Sequence, residues 1–168
     1  MKDARFGIGE NIVPLKAPVD SAGTAYATPW VSLKNALHAT FFWYCGVVTA
    51  TSADQNVVIT MEAATAAASG SEVQIPFKYR LSGATGANSL GAITTVSTAS
   101  SGASLDTTSV DGKMVIIDVD PAALDGLLAD ASHVRMVVGI DAGGTVTLNA
   151  AWAELDPRYP QLTHISAT

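Results

Sequence analysis

Apolar and polar positions alternate along much of the chain, in short runs separated by turn-forming residues. Such runs indicate β-strands, and no stretch keeps helical periodicity for long. The predicted strands lie near residues 28–34, 38–50, 56–65, 72–81, 90–98, 103–109, 113–119, 132–140 and 144–155. This many short strands predict an all-β fold, a two-sheet β-sandwich that is jelly-roll-like.

The predicted strand at 38–50, HATFFWYCGVVTA, is apolar on both faces. With a period of two, one side of the strand carries Phe41, Trp43, Cys45 and Val47, and the other side carries Phe42, Tyr44 and Val48. A strand of an antiparallel sheet usually has one face in the core and one in water. We therefore expect the second face to be covered, either by an arm of the same chain or by a neighbouring subunit or shell.

Turn signals divide these strands. Asp111-Gly112 resembles a hairpin tip, since glycine readily adopts positive φ. Between residues 120 and 126, Asp120 can cap a helical turn that Pro121 starts and Gly126 ends. We predict a single helical turn there.

The two ends of the chain do not have the pattern of core strands. Proline at positions 14 and 18 keeps the N-terminal segment extended and removes ladder donors. The sequence thus predicts one domain, in which residues 1–25 form an extended N-terminal arm, 26–155 the sandwich and 156–168 a C-terminal tail.

Composition narrows the possible partners. Charged residues make up 14% of the chain, against roughly 25% in average soluble domains, and the formal net charge is −6. Binding a polyanion needs clustered Lys and Arg, so no nucleic-acid partner is expected. The apolar run at 36–50 is shorter than the roughly 20 residues of a membrane span, and the N-terminal stretch lacks a signal-peptide core. With one cysteine, the fold must rest on packing, consistent with assembly in the cytoplasm.

The residues that could serve as a nucleophile or as metal ligands are better explained by structural roles. Cys45 lies mid-strand without a nearby His, so we expect a small buried residue. The histidines at 38, 133 and 164 lack ligand spacing. In DVDPAALDG, Asp118, Asp120 and Asp125 resemble a calcium loop, but position 122 is Ala and no Glu follows at the twelfth place.

Paired carboxylates are the remaining enzymatic possibility. Glu62, Glu72 and Glu154 lie in predicted strands, where such residues usually face solvent, often opposite Lys78 or Arg80. No motif marks them as catalytic. The sequence therefore predicts a protein that is not an enzyme and has no catalytic residue, metal site or cofactor.

Four segments carry a resemblance that covers nearly the whole chain. They are FGIGENIVPLKAPVD, SGSEVQIPFKYRLSGATGAN, VIIDVDPAAL and HVRMVVGIDAGGTVTLNAAWAELDPRYP. In style and order they resemble the small decoration, or cement, proteins of tailed-bacteriophage capsids. The resemblance implies a β-sandwich that forms homodimers or homotrimers and sits on the outer capsid surface of the virion, where it binds the major capsid protein.

For that role, the arm and the tail are the expected contacts. The predicted partner-contact residues are Phe6, Ile12, Val13, Leu15, Arg158 and Tyr159, because apolar anchors, Tyr and Arg concentrate binding energy. The alternative is a carbohydrate-binding or adhesin-like module of a phage particle, with Trp30, Trp43 or Trp152 as a stacking platform. The two differ in exposure: a sugar binder needs an open aromatic shelf beside polar groups.

Overall fold

The computed structural model describes residues 11–20, 24–49, 55–67, 70, 72–97, 101–124, 126–140 and 145–157. Most of these residues lie in strands. In chain order the strands are β1 (Asn11–Val19), β2 (Tyr26–Ala27), β3 (Val31–Ser32), β4 (Ala36–Tyr44), β5 (Val47–Thr49), β6 (Asn56–Ala64), β7 (Val73–Ile75), β8 (Phe77–Leu81), β9 (Thr94–Val96), β10 (Ala103–Asp106), β11 (Met114–Val119), β12 (His133–Ile140), β13 (Thr145–Thr147) and β14 (Asn149–Pro157). Helix in the same ranges is short: α1 (Thr107–Val110), a 3-10 turn at Pro121–Ala123, and 3-10 conformation at Ser101.

Two antiparallel sheets form the molecule. Sheet A has the strand order β1-β14-β4-β11-β8-β9, and sheet B has the order β10-β6-β12-β2, with β3 also on β12 and β7 on β6. β5 and β13 form a separate two-stranded ribbon. Consecutive strands repeatedly cross from one sheet to the other, as in Greek-key sandwiches. The predicted all-β, two-sheet sandwich is therefore confirmed.

The core lies between the inner faces of the two sheets. Phe41, Trp43 and Ile117 of sheet A and Ile59 and Met136 of sheet B are fully buried there. β4 and β6 expose every second residue on their outer faces, which is the alternation read from the sequence. Fully burying a side chain of this size stabilises the fold by roughly 1.5–3 kcal/mol, so these positions dominate its stability.

The prediction of one continuous strand over 38–50 is wrong at its C-terminal end. β4 ends at Tyr44, and β5 leaves sheet A to pair with β13. The break has a backbone cause: Cys45 N donates to Lys113 O at 2.9 Å, and Gly112 N donates to Gly46 O at 2.8 Å. These bonds tie the chain to the bend before β11, where it turns out of the sheet.

The predicted strand at 103–109 is also too long. β10 stops at Asp106, whose carboxylate accepts from Thr108 N at 2.7 Å and from Thr108 Oγ1 at 2.6 Å. This capping starts α1 and ends the strand. Gly112 has the expected positive φ of 65°, but it connects α1 to β11 of the other sheet, so Asp111-Gly112 is not a hairpin tip.

The helical turn predicted at 120–126 is confirmed in its first half. The carboxylate of Asp120 accepts from Ala122 N at 2.9 Å, and Pro121 opens the 3-10 turn. Leu124, which caps the turn, is buried in the core. The turn thus fixes the end of β11 against the sandwich.

Within the segment predicted as an N-terminal arm, Asn11–Val19 is extended and hydrogen-bonded. It is the edge strand β1 of sheet A, in register with β14 from Asn11 opposite Leu155 to Val19 opposite Asn149. Its register shifts on either side of Lys16, and an edge strand tolerates the proline at position 14 because one side needs no ladder donor. At the other end, β14 runs to Pro157.

Candidate contact surface on the outer face of sheet A

The outer face of sheet A carries a row of side chains that crosses five strands. The row runs from Pro14 on β1 through Trp152 on β14, Phe42 on β4 and Ile116 on β11 to Arg80 on β8. Pro14 is exposed and the other four are partly exposed. An apolar band with one cation at its end therefore faces away from the core.

Phe42 and Trp152 stack on each other at the centre of this row. Their ring centroids are 5.3 Å apart and their planes differ by 9°. Such a pair contributes about 0.5–1.5 kcal/mol beyond its area burial. The second apolar face of β4 is therefore partly covered by side chains of neighbouring strands of its own sheet.

A polar row lies beside the apolar one. Thr40 Oγ1 donates to Asp118 Oδ1 at 3.2 Å, and His38 Nε2 lies 3.5 Å from the same oxygen. Glu154 and Lys78 occupy the flanking strands in register with this pair. Among the described residues, no group of three or more His, Cys, Asp or Glu side chains could hold a metal ion.

The predicted contact residues have different positions. Ile12 on β1 is 49% exposed and lies opposite Glu154, so it extends the outer face to the sheet edge. Val13 is half-buried against the core, and Leu15 is buried in it. Leu15 thus anchors β1 to its own chain. Phe6, Arg158 and Tyr159 lie outside the described residues.

Cys45 is a fully buried thiol. Burial and, to a smaller extent, the negative charge of Asp111 raise the pKa of this thiol to about 12. A nucleophilic cysteine needs a lowered pKa and some exposure, so the environment of Cys45 keeps it in the unreactive thiol form.

Sequence reasoning missed one Ser and His pair. Ser132 Oγ lies 2.8 Å from His133 Nδ1 and donates to the carbonyl of Thr65 at 2.7 Å. Because the hydroxyl proton is already directed to that carbonyl, the imidazole cannot accept it from this position. Burial lowers the pKa of His133. Nothing in the geometry activates Ser132 as a nucleophile.

Two of the candidate carboxylates share one arginine on sheet B. Glu62 Oε2 lies 2.7 Å from Arg135 Nε, and Glu72 Oε1 lies 3.7 Å from Arg135 Nη2. The amide of Gly70 donates to Glu72 at 2.8 Å and lowers the pKa of that carboxyl. The pKa of Glu72 is thus lowered, whereas a general acid needs a raised pKa, and Glu62 is engaged as the closer ion-pair partner of Arg135.

The three tryptophans test the sugar-platform alternative. Trp43 is fully buried, the guanidinium of Arg135 lies 4.4 Å from the ring centroid of Trp30, and Trp152 stacks on Phe42. On the other side of Trp152, the register partner is Pro14. A sugar shelf needs an open ring face, so this geometry favours a flat contact surface over a stacking platform.

A partly buried chain of hydrogen bonds joins the two sheets behind this surface. Trp43 Nε1 donates to Tyr26 Oη at 2.9 Å, Tyr26 Oη donates to Asn149 Oδ1 at 2.9 Å, and Asn149 Nδ2 donates to the carbonyl of Val19 at 3.0 Å. The Lys16 ammonium lies 3.9 Å from the centroid of the Tyr26 ring. The chain thus connects β4, β2, β14 and the end of β1.

Replacing Tyr26 by phenylalanine is expected to lower the free energy of unfolding by about 1–3 kcal/mol, because the buried indole N–H of Trp43 loses its acceptor. Urea denaturation followed by circular dichroism measures the change. Tyr79→Phe is the matched control, since no hydrogen bond of the Tyr79 hydroxyl occurs among the described residues. Equal stabilities of the two variants would contradict the structural role of the Tyr26 hydroxyl.

Comparison of the chain with protein-family models, with curated proteins and with solved structures finds no match. Function must therefore be inferred from the residues and their arrangement.

None of the helices in the described part of the chain has the length and apolar character needed to cross a bilayer.

Proposed function

We propose that this chain is a structural virion protein, which decorates the outer capsid surface of a tailed bacteriophage and stabilises it by bridging neighbouring subunits of the major capsid protein. Assembly takes place in the host cytoplasm. The observation that carries the proposal is the position of β1. This strand fixes the N-terminal segment at the rim of sheet A and leaves Ile12 49% exposed beside the apolar outer face.

The surface chemistry is consistent with a role in a lattice. Charged residues make up only 14% of the chain, and the outer face of sheet A carries an apolar row around Phe42 and Trp152. A protein that binds at many equivalent places gains its effect from repetition, so each copy needs only weak contacts and no deep pocket. Broad contacts of this kind suit a cement protein.

Removing residues 1–10, which leaves β1 in place, tests the proposed contact. A deletion to residue 25 would also remove β1, including the buried Leu15 and the Val19 carbonyl that accepts from Asn149. We expect cryo-electron microscopy of heads assembled from the major capsid protein of the same phage genome to show the full-length chain on the outer surface. The shortened chain should show reduced occupancy and less resistance to heat.

A pair of substitutions locates the contact on β1. Ile12→Asp should reduce occupancy, whereas Val19→Asp, on the same strand and similarly exposed at 42%, should not. Heads that bind no full-length chain would refute the proposed function. Heads that bind the shortened chain and Ile12→Asp at full occupancy would refute the N-terminal contact.

A further inference from the structure

Charges on the outer face of sheet A are separated by strand. Lys78 and Arg80 project from β8, at one side, whereas Glu154 and Asp156 project from β14, at the other. Between them, β4 and β11 contribute the apolar residues Phe42 and Ile116 in one row and the polar residues Thr40 and Asp118 in the next. Neither Lys78 nor Arg80 forms an ion pair with any described residue. The face is thus cationic on β8 and acidic on β14, with one apolar and one polar row crossing its centre.

We infer that two copies of this chain associate through the outer faces of sheet A, around a two-fold axis that runs parallel to the strands between β4 and β11. This axis places β8 of one copy over β14 of the other, and β11 over β4. In the observed register, Lys78 then faces Glu154, and Arg80 faces Trp152 of the partner subunit.

The apolar residues meet in the same arrangement. Ile116 of each copy lies over the stacked Phe42 of the other, and the symmetry repeats every contact twice. A two-fold axis in the interface plane but perpendicular to the strands would instead place β8 of one copy on β8 of the other. That arrangement is disfavoured because it brings like charges together.

The size of the face fits a weak dimer. The axis passes between the third and fourth of the six strands, so β1 of one copy lies over β9 of the other and all six strands take part. Six strands about 4.8 Å apart, with about seven residues each at 3.4 Å, give a footprint of roughly 700 Å² per copy. About 1,400 Å² in total lies toward the lower end of specific interfaces. We expect association in the micromolar range. Sheets that pack face to face stay within about 30° of parallel, which this axis allows. The inference does not depend on the capsid role.

Charge exchange tests the arrangement. Sedimentation velocity of the full chain from 1 to 200 μM should show a monomer–dimer equilibrium. Lys78→Glu and Glu154→Lys should each weaken dimerisation at least tenfold, because each puts like charges at both symmetric positions. An equimolar mixture of these two variants should dimerise again, because opposite charges then meet at both positions.

Lys34→Glu is the matched control, since Lys34 is exposed in a turn outside the face and carries the same change of charge. It should dimerise like the unmodified chain, and circular dichroism should show all variants folded. A full chain that stays monomeric at 200 μM, or one that forms trimers, would overturn the inference. So would Lys78→Glu and Glu154→Lys variants that dimerise as well as Lys34→Glu, or that fail to dimerise when mixed.

Discussion

Replacing Phe41 by alanine is expected to lower the free energy of unfolding by about 3–5 kcal/mol, whereas the same replacement at Phe42 should cost about 1–2 kcal/mol. The two residues are adjacent in β4 but lie on opposite faces of sheet A. Phe41 is fully buried between the sheets, so its removal leaves a cavity in a packed core. The Phe42 ring is partly exposed, and its removal forfeits mainly the stack on Trp152.

Urea denaturation followed by tryptophan fluorescence and circular dichroism measures both changes. A protein concentration near 1 μM keeps self-association from adding to the apparent stability. The denaturant dependence of the unfolding free energy should stay the same in both variants, since neither changes the surface exposed on unfolding by much. Similar losses for the two variants would mean that the outer face is as well packed as the core.

The two faces of β4 could be assigned from the sequence because the period of a strand is fixed. Phe41 and Trp43 of β4, and Cys45 just after it, face the core, and Phe42 and Tyr44 share the outer face, as predicted. The inward position predicted for Val47 is wrong: it is 60% exposed, because β4 ends at Tyr44 and β5 pairs with β13. The strands β6, β11 and β12 lie close to their predicted ranges for the same reason. Their alternating Val and Ile residues make the pattern clear.

The errors at strand ends come from interactions between distant segments. β4 ends because Cys45 bonds to the backbone of Lys113, 68 positions further along, and β10 ends because Asp106 caps α1. Local patterns do not encode the first of these. The second has a local sequence signal, because an Asp two residues before a Thr can cap a helical turn. The β-forming residues around Asp106 favour a strand instead.

The candidate surface depended still more on pairing between strands. The sequence predicted two apolar faces on β4, but the stack of Phe42 on Trp152 follows from register between segments that are far apart in the chain. For the same reason Glu62 was expected opposite Lys78 or Arg80, whereas it pairs with Arg135. The residue types predict whether a strand face is apolar or charged. Only the order and register of the strands determine which charged side chains lie next to each other.

The thiol of Cys45 is expected to react with iodoacetamide at pH 8 at least a thousandfold more slowly in the folded protein than in urea. Burial raises its pKa from the ordinary 9.0 to about 12, which lowers the thiolate population at this pH by roughly a thousandfold. The side chain is also fully buried, so the reagent cannot approach until the sandwich opens. Mass spectrometry of quenched samples measures the rate.

An exposed thiol on the neighbouring strand provides the control for this measurement. Val47 lies two residues away and is 60% exposed, so a Cys45→Ala, Val47→Cys variant should react in the folded state at nearly the rate found in urea. If the folded unmodified protein reacted as fast as this variant, Cys45 would be accessible and its face of β4 could not line a closed core. Slow labelling of Cys45 together with fast labelling at position 47 is the result that the break between β4 and β5 requires, because positions two apart in one continuous strand would share a face.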